Sequence, residues 1–329
     1  MTPQQTVLLT DRAWPDDSIE RRIIEDAGFT LIAGPADPAP VETIDALVAE
    51  HQPAAILTCW ATVSAAAIAS SPELRVVARM GVGLDNIAVA GATDRGVQVT
   101  NVPDYCVAEV SDHAVGLALA WTRGLVPADR EVHAGSWNPA GARLRRLSTL
   151  TCGVVGYGRI GRATAAKLRA LGARVVISDP NPPADTGGIE VMPLDGLLAA
   201  SDIVVLHAPL IPQTHHLISE RELALLPQGA FLINVSRGGL IDTAALLAAL
   251  QAGHLGGAGL DVLEEEPAVP EELLTHSGVI ITPHIAFASD ASVIDLRRSA
   301  AEEVVRVLRG EPAHYPCNTP SPLSTGVSS

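Results

Sequence analysis

The stretch "GVVGYGRIGRATAAKL", residues 153–168, constrains the fold more than any other part of the chain. Gly156, Gly158 and Gly161 form G-x-G-x-x-G between an apolar strand-like run and a helix-like one. The first glycine permits a tight turn, the second lets the backbone approach a pyrophosphate, and the third lets helix and strand pack closely. The start of the helix offers unpaired amides and the positive end of its dipole to phosphates. Asp179 ends the next strand-like run, "ARVVISD", 18 residues after Gly161. A carboxylate there can bond both ribose hydroxyls of NAD and repels the 2′-phosphate of NADP. The following "PNPP" supplies no arginine to hold that phosphate. A turn-forming strand end is the other use for Asp179, and the complete βαβ context favours the cofactor.

Around this motif, short β-branched runs alternate with alanine- and leucine-rich helical stretches, the pattern of parallel α/β architecture. A first series runs from "TVLLT" to "VQVTNV". A long apolar helix over 107–123 follows, broken near its start by Ser111, Asp112 and His113. The second series has six strand-like runs, from "TCGVVG" to "GVIITPH", as a doubly wound dinucleotide fold requires. The charged helix over 291–309 has no strand to pair with in that series and is expected to return to the first half. The expected fold is therefore two-domain α/β. A Rossmann-type, doubly wound cofactor domain (residues 103–286) is inserted into a flavodoxin-like substrate domain (1–102 plus 287–329), which ends in a mobile Pro/Ser tail.

Composition removes several classes of function. Against 37 acidic residues stand 22 basic ones, for a formal charge of −15, a field that repels nucleic acid. The four cysteines are scattered singly, without metal-finger spacing, which predicts reduced thiols, no disulfide framework and a cytoplasmic setting. The first residues resemble neither a secretory signal nor a membrane anchor, and no later run is long and apolar enough to span a bilayer. Lys167, the only lysine, is expected to lie exposed on a helix, which sets Schiff-base chemistry aside.

Other strand ends carry candidate chemistry. Arg237 in "NVSRGGLID" precedes two glycines at a strand end, where its guanidinium suits a carboxylate substrate. Read alone, it serves equally as a surface loop cap. His284 follows "VIITP", and "LDVLEEEP" places three glutamates after another strand. A histidine beside a carboxylate can deliver a proton at neutral pH. His215 and His216 have no carboxylate or cysteine at metal-ligand spacing, so no metal site is expected.

Together, "GVGLDNI", "GYGRIG", "HAPLIPQTHHLI", "INVSRGGLID", "GLDVLEEEP" and "TPHIAFAS" resemble the D-2-hydroxyacid dehydrogenases, in family order and over nearly the whole chain. "RMGVGLDN" and "NVPDYCVAEVSDHA" are most similar to the branch that includes the C-terminal binding protein corepressors. The resemblance implies an NAD-dependent oxidoreductase acting on a small D-2-hydroxy or 2-oxo acid. Arg237 would bind the substrate carboxylate, and His284 would be the acid or base. Glu266, five residues after Asp261 and directly before a proline, would hold the His284 ring in a buried pair and raise its pKa. Asp261 would meet the nicotinamide amide, and Arg159 and Ile160 the pyrophosphate. His207, Pro209, Thr214 and Val235 would line the cofactor cleft, and Val82 and Gly83 would offer amides to the substrate. Where many relatives carry a tryptophan or tyrosine after the catalytic histidine, this chain has Phe287 and Ala288. Trp60 could supply an aromatic wall, or be a core or interface tryptophan. Glu264 and Glu265 read as a solvated loop. Relatives also imply a homodimer, with "HAGSWNPAGARLRRL" reaching across. An NAD-sensing scaffold and a dehydrogenase of phosphonates or phosphorus oxyacids remain open alternatives.

Overall fold

A computed structural model describes residues 5–141 and 144–321. Parts of two sequence expectations, the arm at Ala142 and Arg143 and the tail beyond Ser321, lie outside the described residues. The chain divides into two compact units, one formed by 1–105 and 289–329 and the other by 106–288.

In the first unit the strands are β1 (Thr6–Leu9), β2 (Thr30–Ala33), β3 (Ala55–Thr58), β4 (Val76–Arg79) and β5 (Gln98–Thr100). Between them run α1 (Ser18–Asp26), α2 (Val41–His51), α3 (Ala65–Ser70) and α4 (Val89–Asp94). The sheet is parallel in the order β2-β1-β3-β4-β5, the flavodoxin-like arrangement. Alternation along the strands sorts the side chains into two cores. Val7, Leu9, Leu57 and Val76 point to one face, and Leu8, Ile56 and Val77 to the other.

The second unit opens with α5 (Val107–Thr122) and α6 (Leu125–His133). Its strands are β6 (Thr151–Val155), β7 (Arg174–Ser178), β8 (Glu190–Val191), β9 (Ile203–Leu206), β10 (Ala230–Asn234), β11 (Leu255–Leu260) and β12 (Val279–Ile281). The helices between them are α7 (Arg159–Ala170), α8 (Leu194–Ala200), α9 (Glu220–Leu225), α10 (Thr243–Gln251) and α11 (Glu271–Thr275). The order β12-β11-β10-β9-β6-β7-β8 is the doubly wound one, reversing between β6 and β9. β9 and β10 are buried throughout, as strands covered on both faces must be. The last helix, α12 (Ser292–Leu308), rejoins the first unit and covers α1, β3 and β4 with Leu296, Ala300 and Val304.

The two-domain α/β fold is the one the sequence pattern predicts. One strand escaped it: β8 has two residues, both exposed, and so no apolar run to read. Lys167 also departs from expectation. Its ammonium donates to Ala108 O, Ser111 Oγ and Asp112 Oδ1 at 2.7–3.0 Å and pins α7 to α5.

Candidate active site

The glycine turn lies where the strand order of the second unit reverses. Gly156 leaves β6 at φ +90°, a conformation that side chains disfavour. A Cβ there would stand 2.7 Å from the carbonyl of His207, just past β9. A Cβ on Gly161 would run into the carbonyl oxygen of Gly156, so only glycine lets α7 start this close to the turn. Gly158 caps α7, and a Cβ added to it would meet only open space. Arg159 and Ile160 form the first turn of the helix beside that space.

Asp179 closes the turn from the side. Its carboxylate accepts from Tyr157 N at 2.7 Å and from Asn181 N at 2.8 Å, and each oxygen keeps a further lone pair. His207 donates its amide to Val155 O at 2.7 Å. Its ring Nε2 is sealed from solvent without a hydrogen-bond partner, and burial pushes the imidazole down to about 3, so the ring is neutral. The Thr214 hydroxyl donates to Pro209 O at 2.6 Å and accepts from Ile211 N at 2.9 Å, closing the loop after β9. Val235 is buried just past β10. Open space at a helix start, a carboxylate at the neighbouring strand end and an orphaned ring nitrogen together fit a dinucleotide.

Beyond β12 the chain turns sharply, and His284 takes a left-handed backbone at φ +54°. Asp261, at the end of β11 and 2% exposed, holds it there. Its carbonyl accepts from His284 N at 2.8 Å, and its carboxylate accepts from Ile285 N at 3.0 Å and Ala286 N at 2.9 Å. Thr282 Oγ1 donates to the same carboxylate at 2.5 Å, and His113 Nε2 lies 2.9 Å from that hydroxyl. With the hydroxyl proton committed to Asp261, His113 is the donor. The hydrogen bonds that the Asp261 carboxylate accepts thus come from the His284 loop, while His113 Nε2 of α5 lies 3.6 Å from its Oδ1.

The Nδ1 atom of His284 lies 2.8 Å from Oε2 of Glu266, whose other oxygen accepts from Leu263 N at 3.0 Å. Burial works to raise the Glu266 carboxyl. The hydrogen bond and charge of His284, the Leu263 amide and the charge of Arg237 outweigh it and hold Glu266 below the usual carboxylate range. Glu266 is therefore an anion, Nδ1 carries the bonded proton, and Nε2 is the ring nitrogen turned away from Glu266. The pair is not buried as expected: its side chains are 25% and 38% exposed, because both sit on loops past the strand ends. Phe287 stands edge-on to the His284 ring at 6.3 Å.

Arg237 follows β10, with Nη1 donating to Ser236 O at 2.9 Å. A Cβ on the next residue, Gly238, would overlap the Leu263–Glu264 peptide, so glycine lets the Arg237 loop run against the acidic loop. Arg237, Asp261, Glu266 and His284 are thus gathered at one sheet edge.

Trp60, Val82 and Gly83 belong to the first unit. Asp11, fully buried, accepts from the amides of Cys59, Trp60 and Ala61 at 2.7–3.1 Å and fixes the turn after β3. Trp60 packs half-buried against the core on that side. Val82, past β4, is exposed, and its carbonyl accepts from Asn101 Nδ2 at 2.7 Å.

Sequence reasoning missed two sets of contacts. The polar break at His113 was visible, but its link to Thr282 spans 169 positions and needs the fold. Glu264 was read as solvated loop, yet it accepts from Thr243 Oγ1 at 2.7 Å and lies 2.5 Å from His216 Nε2. His215 stands beside it, its ring stacked on His216 at 3.9 Å.

Comparison with known proteins agrees with this geometry. Residues 115–286 match the family model "D-isomer specific 2-hydroxyacid dehydrogenase, NAD binding domain". D-3-phosphoglycerate dehydrogenase of Mycobacterium leprae (strain TN) is 41% identical over 254 residues. That alignment takes in 76% of this chain but only 48%, about half, of the relative. Glyoxylate reductase of Thermococcus onnurineus (strain NA1) is 39% identical over 252 residues, 74% of this chain and 75% of the relative. The crystal structure of D-lactate dehydrogenase from Aquifex aeolicus, complexed with NAD and lactic acid, superposes with a TM-score of 0.83 at 28% identity. It covers 93% of this chain and 96% of that one. Sequence, fold and site geometry agree that the chain belongs to the D-isomer specific 2-hydroxyacid dehydrogenase family and carries its NAD-binding domain.

Proposed function

We propose that the protein is an NAD-dependent oxidoreductase interconverting a small D-2-hydroxy acid and the corresponding 2-oxo acid. The observation that carries this reading is the His284–Glu266 pair at 2.8 Å, with Arg237 close enough for its charge to act on Glu266. NAD(H), when bound, supplies or accepts the hydride. In reduction His284 gives the Nε2 proton to the carbonyl oxygen, while Glu266 keeps Nδ1 protonated and stabilises the charged ring. Arg237 holds the substrate carboxylate and draws charge from the carbonyl. Val82 and Gly83 would add backbone amides to that carboxylate, and Trp60 an aromatic wall. Asp261 holds the His284 loop and would reach the nicotinamide amide. Gly156, Gly158, Arg159, Ile160 and Gly161 would take the pyrophosphate, and Asp179 the ribose, with NAD preferred over NADP. His207, Pro209, Thr214 and Val235 would line the rest of the dinucleotide path. On this reading the second unit is the cofactor domain and also carries Arg237, Glu266 and His284, and the first is the substrate domain. The enzyme names of the relatives above favour turnover over NAD sensing.

A homodimer through the second unit belongs to the proposal. Leu125, Val132, Leu144 and Trp137 are exposed apolar side chains on the 125–146 segment, Trp137 at 85%. Beside them a groove of about 580 Å³ is lined by Trp121, Gly124, Leu144, Arg145 and Ile280. A cytoplasmic setting is also proposed, supported by four cysteines of which none is in a disulfide. Among the described residues no helix is long and apolar enough to cross a membrane.

The test is a panel of 2-oxo acids, bulky and phosphonate-bearing ones included, offered to the purified protein with NADH. Oxidation of NADH with at least one of them is expected, and His284→Ala should abolish it while NADH still binds. No turnover across the panel would overturn the assignment.

A further inference from the structure

Outside the site just described, the fold brings together two adjacent histidines and a carboxylate 48 residues further along the chain. His215, His216 and Glu264 each offer one ligand atom, and the three atoms lie within 4.8 Å of one another. The structure assigns these residues a binding site for one divalent cation of the zinc class, completed by water.

The donor set suits such an ion. Imidazole nitrogens with one carboxylate are borderline ligands that favour zinc and its late transition-metal neighbours, whereas magnesium and calcium take oxygen alone. His215 and Glu264 are exposed, so the ion has a path from solvent. The supporting groups are also in place. Thr243 donates its hydroxyl to Glu264 Oε2 at 2.7 Å and its amide at 3.3 Å, which turns the other oxygen toward His216. Asp242 Oδ2 lies 3.9 Å from His216 Nδ1, the nitrogen pointing away from Glu264. At that distance the carboxylate favours a cation-bound ring by its charge and makes no orienting hydrogen bond to it. His216 is held at φ +52°, with its amide bonded to Gly239 O at 2.8 Å.

Without metal, His216 Nε2 and Glu264 Oε1 are hydrogen-bonded across 2.5 Å. Bonds of about 2.0–2.2 Å in a tetrahedral site space ligand atoms roughly 3.3 Å apart. Loading the site therefore replaces that hydrogen bond with one bond from each atom to the ion, the Nε2 proton passing to Nδ1 of a neutral ring, and widens the pair by roughly 1 Å. His215 comes in from its stacked position as the third ligand. The ion would then strap the loop after β9, which carries Thr214, to the loop after β11, which carries Glu266.

The test uses tag-free full-length protein and Zn²⁺ itself, titrated calorimetrically at neutral pH. One ion per chain should bind and raise the melting temperature, because it binds the folded state alone. Co²⁺ in its place should give the visible absorption of a tetrahedral nitrogen–oxygen site, and Mg²⁺ should do neither. His215→Ala, an exposed change that the fold tolerates, and Glu264→Gln should each weaken Zn²⁺ binding by about 10- to 100-fold. His133→Gln, on exposed α6, should leave it unchanged. Absence of saturable binding, or binding that persists in both ligand variants, overturns the site.

Discussion

Two glycines of one turn should respond oppositely to the same added methyl group. At Gly156, alanine faces two penalties. The backbone sits at φ +90°, and the new Cβ would stand 2.7 Å from the carbonyl carbon and oxygen of His207 and 2.9 Å from Ala208 N. Ordinary contact begins near 3.4 Å, so the shortfall is about 0.7 Å against backbone rather than a yielding side chain. That backbone is itself tied to β6 by the His207 amide bond to Val155 O. Left-handed strain of about 1–3 kcal/mol and overpacking of about 1–3 kcal/mol give a loss of roughly 2–6 kcal/mol. For a unit of this size, at about 2–4 °C per kcal/mol, that is a fall in melting temperature of roughly 4–24 °C. At Gly158 the Cβ meets nothing within 4 Å and the backbone, at φ −71°, suits any residue. Gly158→Ala should stay within about 0.5 kcal/mol of the parent. Its methyl, however, occupies the space through which the backbone would meet a pyrophosphate on the proposed reading, and NADH affinity should drop roughly 10- to 100-fold. Thermal melts with NADH fluorescence titration separate the two effects. Parent-like NADH affinity in Gly158→Ala would remove the phosphates from this turn. Parent-like melting of Gly156→Ala would refute the close-approach argument.

Three further outcomes follow from named contacts. Glu266→Gln keeps a hydrogen-bonding side chain but removes the charge beside His284. Turnover should fall by roughly 10²- to 10⁴-fold with NADH binding retained, and a parent-like kcat would detach Glu266 from the chemistry. Thr282→Val deletes the hydroxyl joining His113 to Asp261, leaving buried polar groups without it. Urea unfolding should show a loss of about 1–3 kcal/mol, and none would mean the bridge contributes nothing. In the capping box of α9, burial works to raise Glu222, but hydrogen bonds from Ser219 and the charge of Arg221 hold it below its ordinary 4.5. A carboxylate with a lowered folded pKa contributes stability that is present above 4.5 and lost as pH falls through the lower folded value. The stability gap between parent and Glu222→Gln should therefore be widest near neutrality and close in acid; a gap that stays constant with pH would contradict this.

How much was legible follows from which interactions are local. Strand and helix alternation depends on apolar period, so β1, β6, β9 and β10 could be read directly, each a largely apolar run buried on both faces. β8 could not, because two exposed residues paired at a sheet edge leave no periodic trace. Lys167 was misjudged for a related reason. Its helix position looked polar, but the neighbour that captures it, α5, is set by tertiary packing. The glycine turn was legible down to single residues, since its constraint is steric and lies within one βαβ unit.

The three adjacent glutamates show where that legibility ends. Composition treats Glu264, Glu265 and Glu266 alike, and an acidic run by itself implies only a solvated loop. After β11 the loop sends the first and third carboxylates to different partners. Glu264 meets Thr243 and His216, and Glu266 meets His284 and the amide of Leu263, while Glu265 is exposed. Glu266 could be singled out only through the family resemblance, which implies a partner glutamate five residues after the strand-end Asp261 and directly before a proline. Nothing local distinguishes Glu264, whose two partners come from segments 21 and 48 residues away. The loop can serve both sites only because Gly238 lets the Arg237 loop lie against the Leu263–Glu264 peptide. A side chain at that one position would part Arg237 from Glu266 and Thr243 from Glu264 together, so the proposed catalytic set and the proposed cation site share one steric requirement.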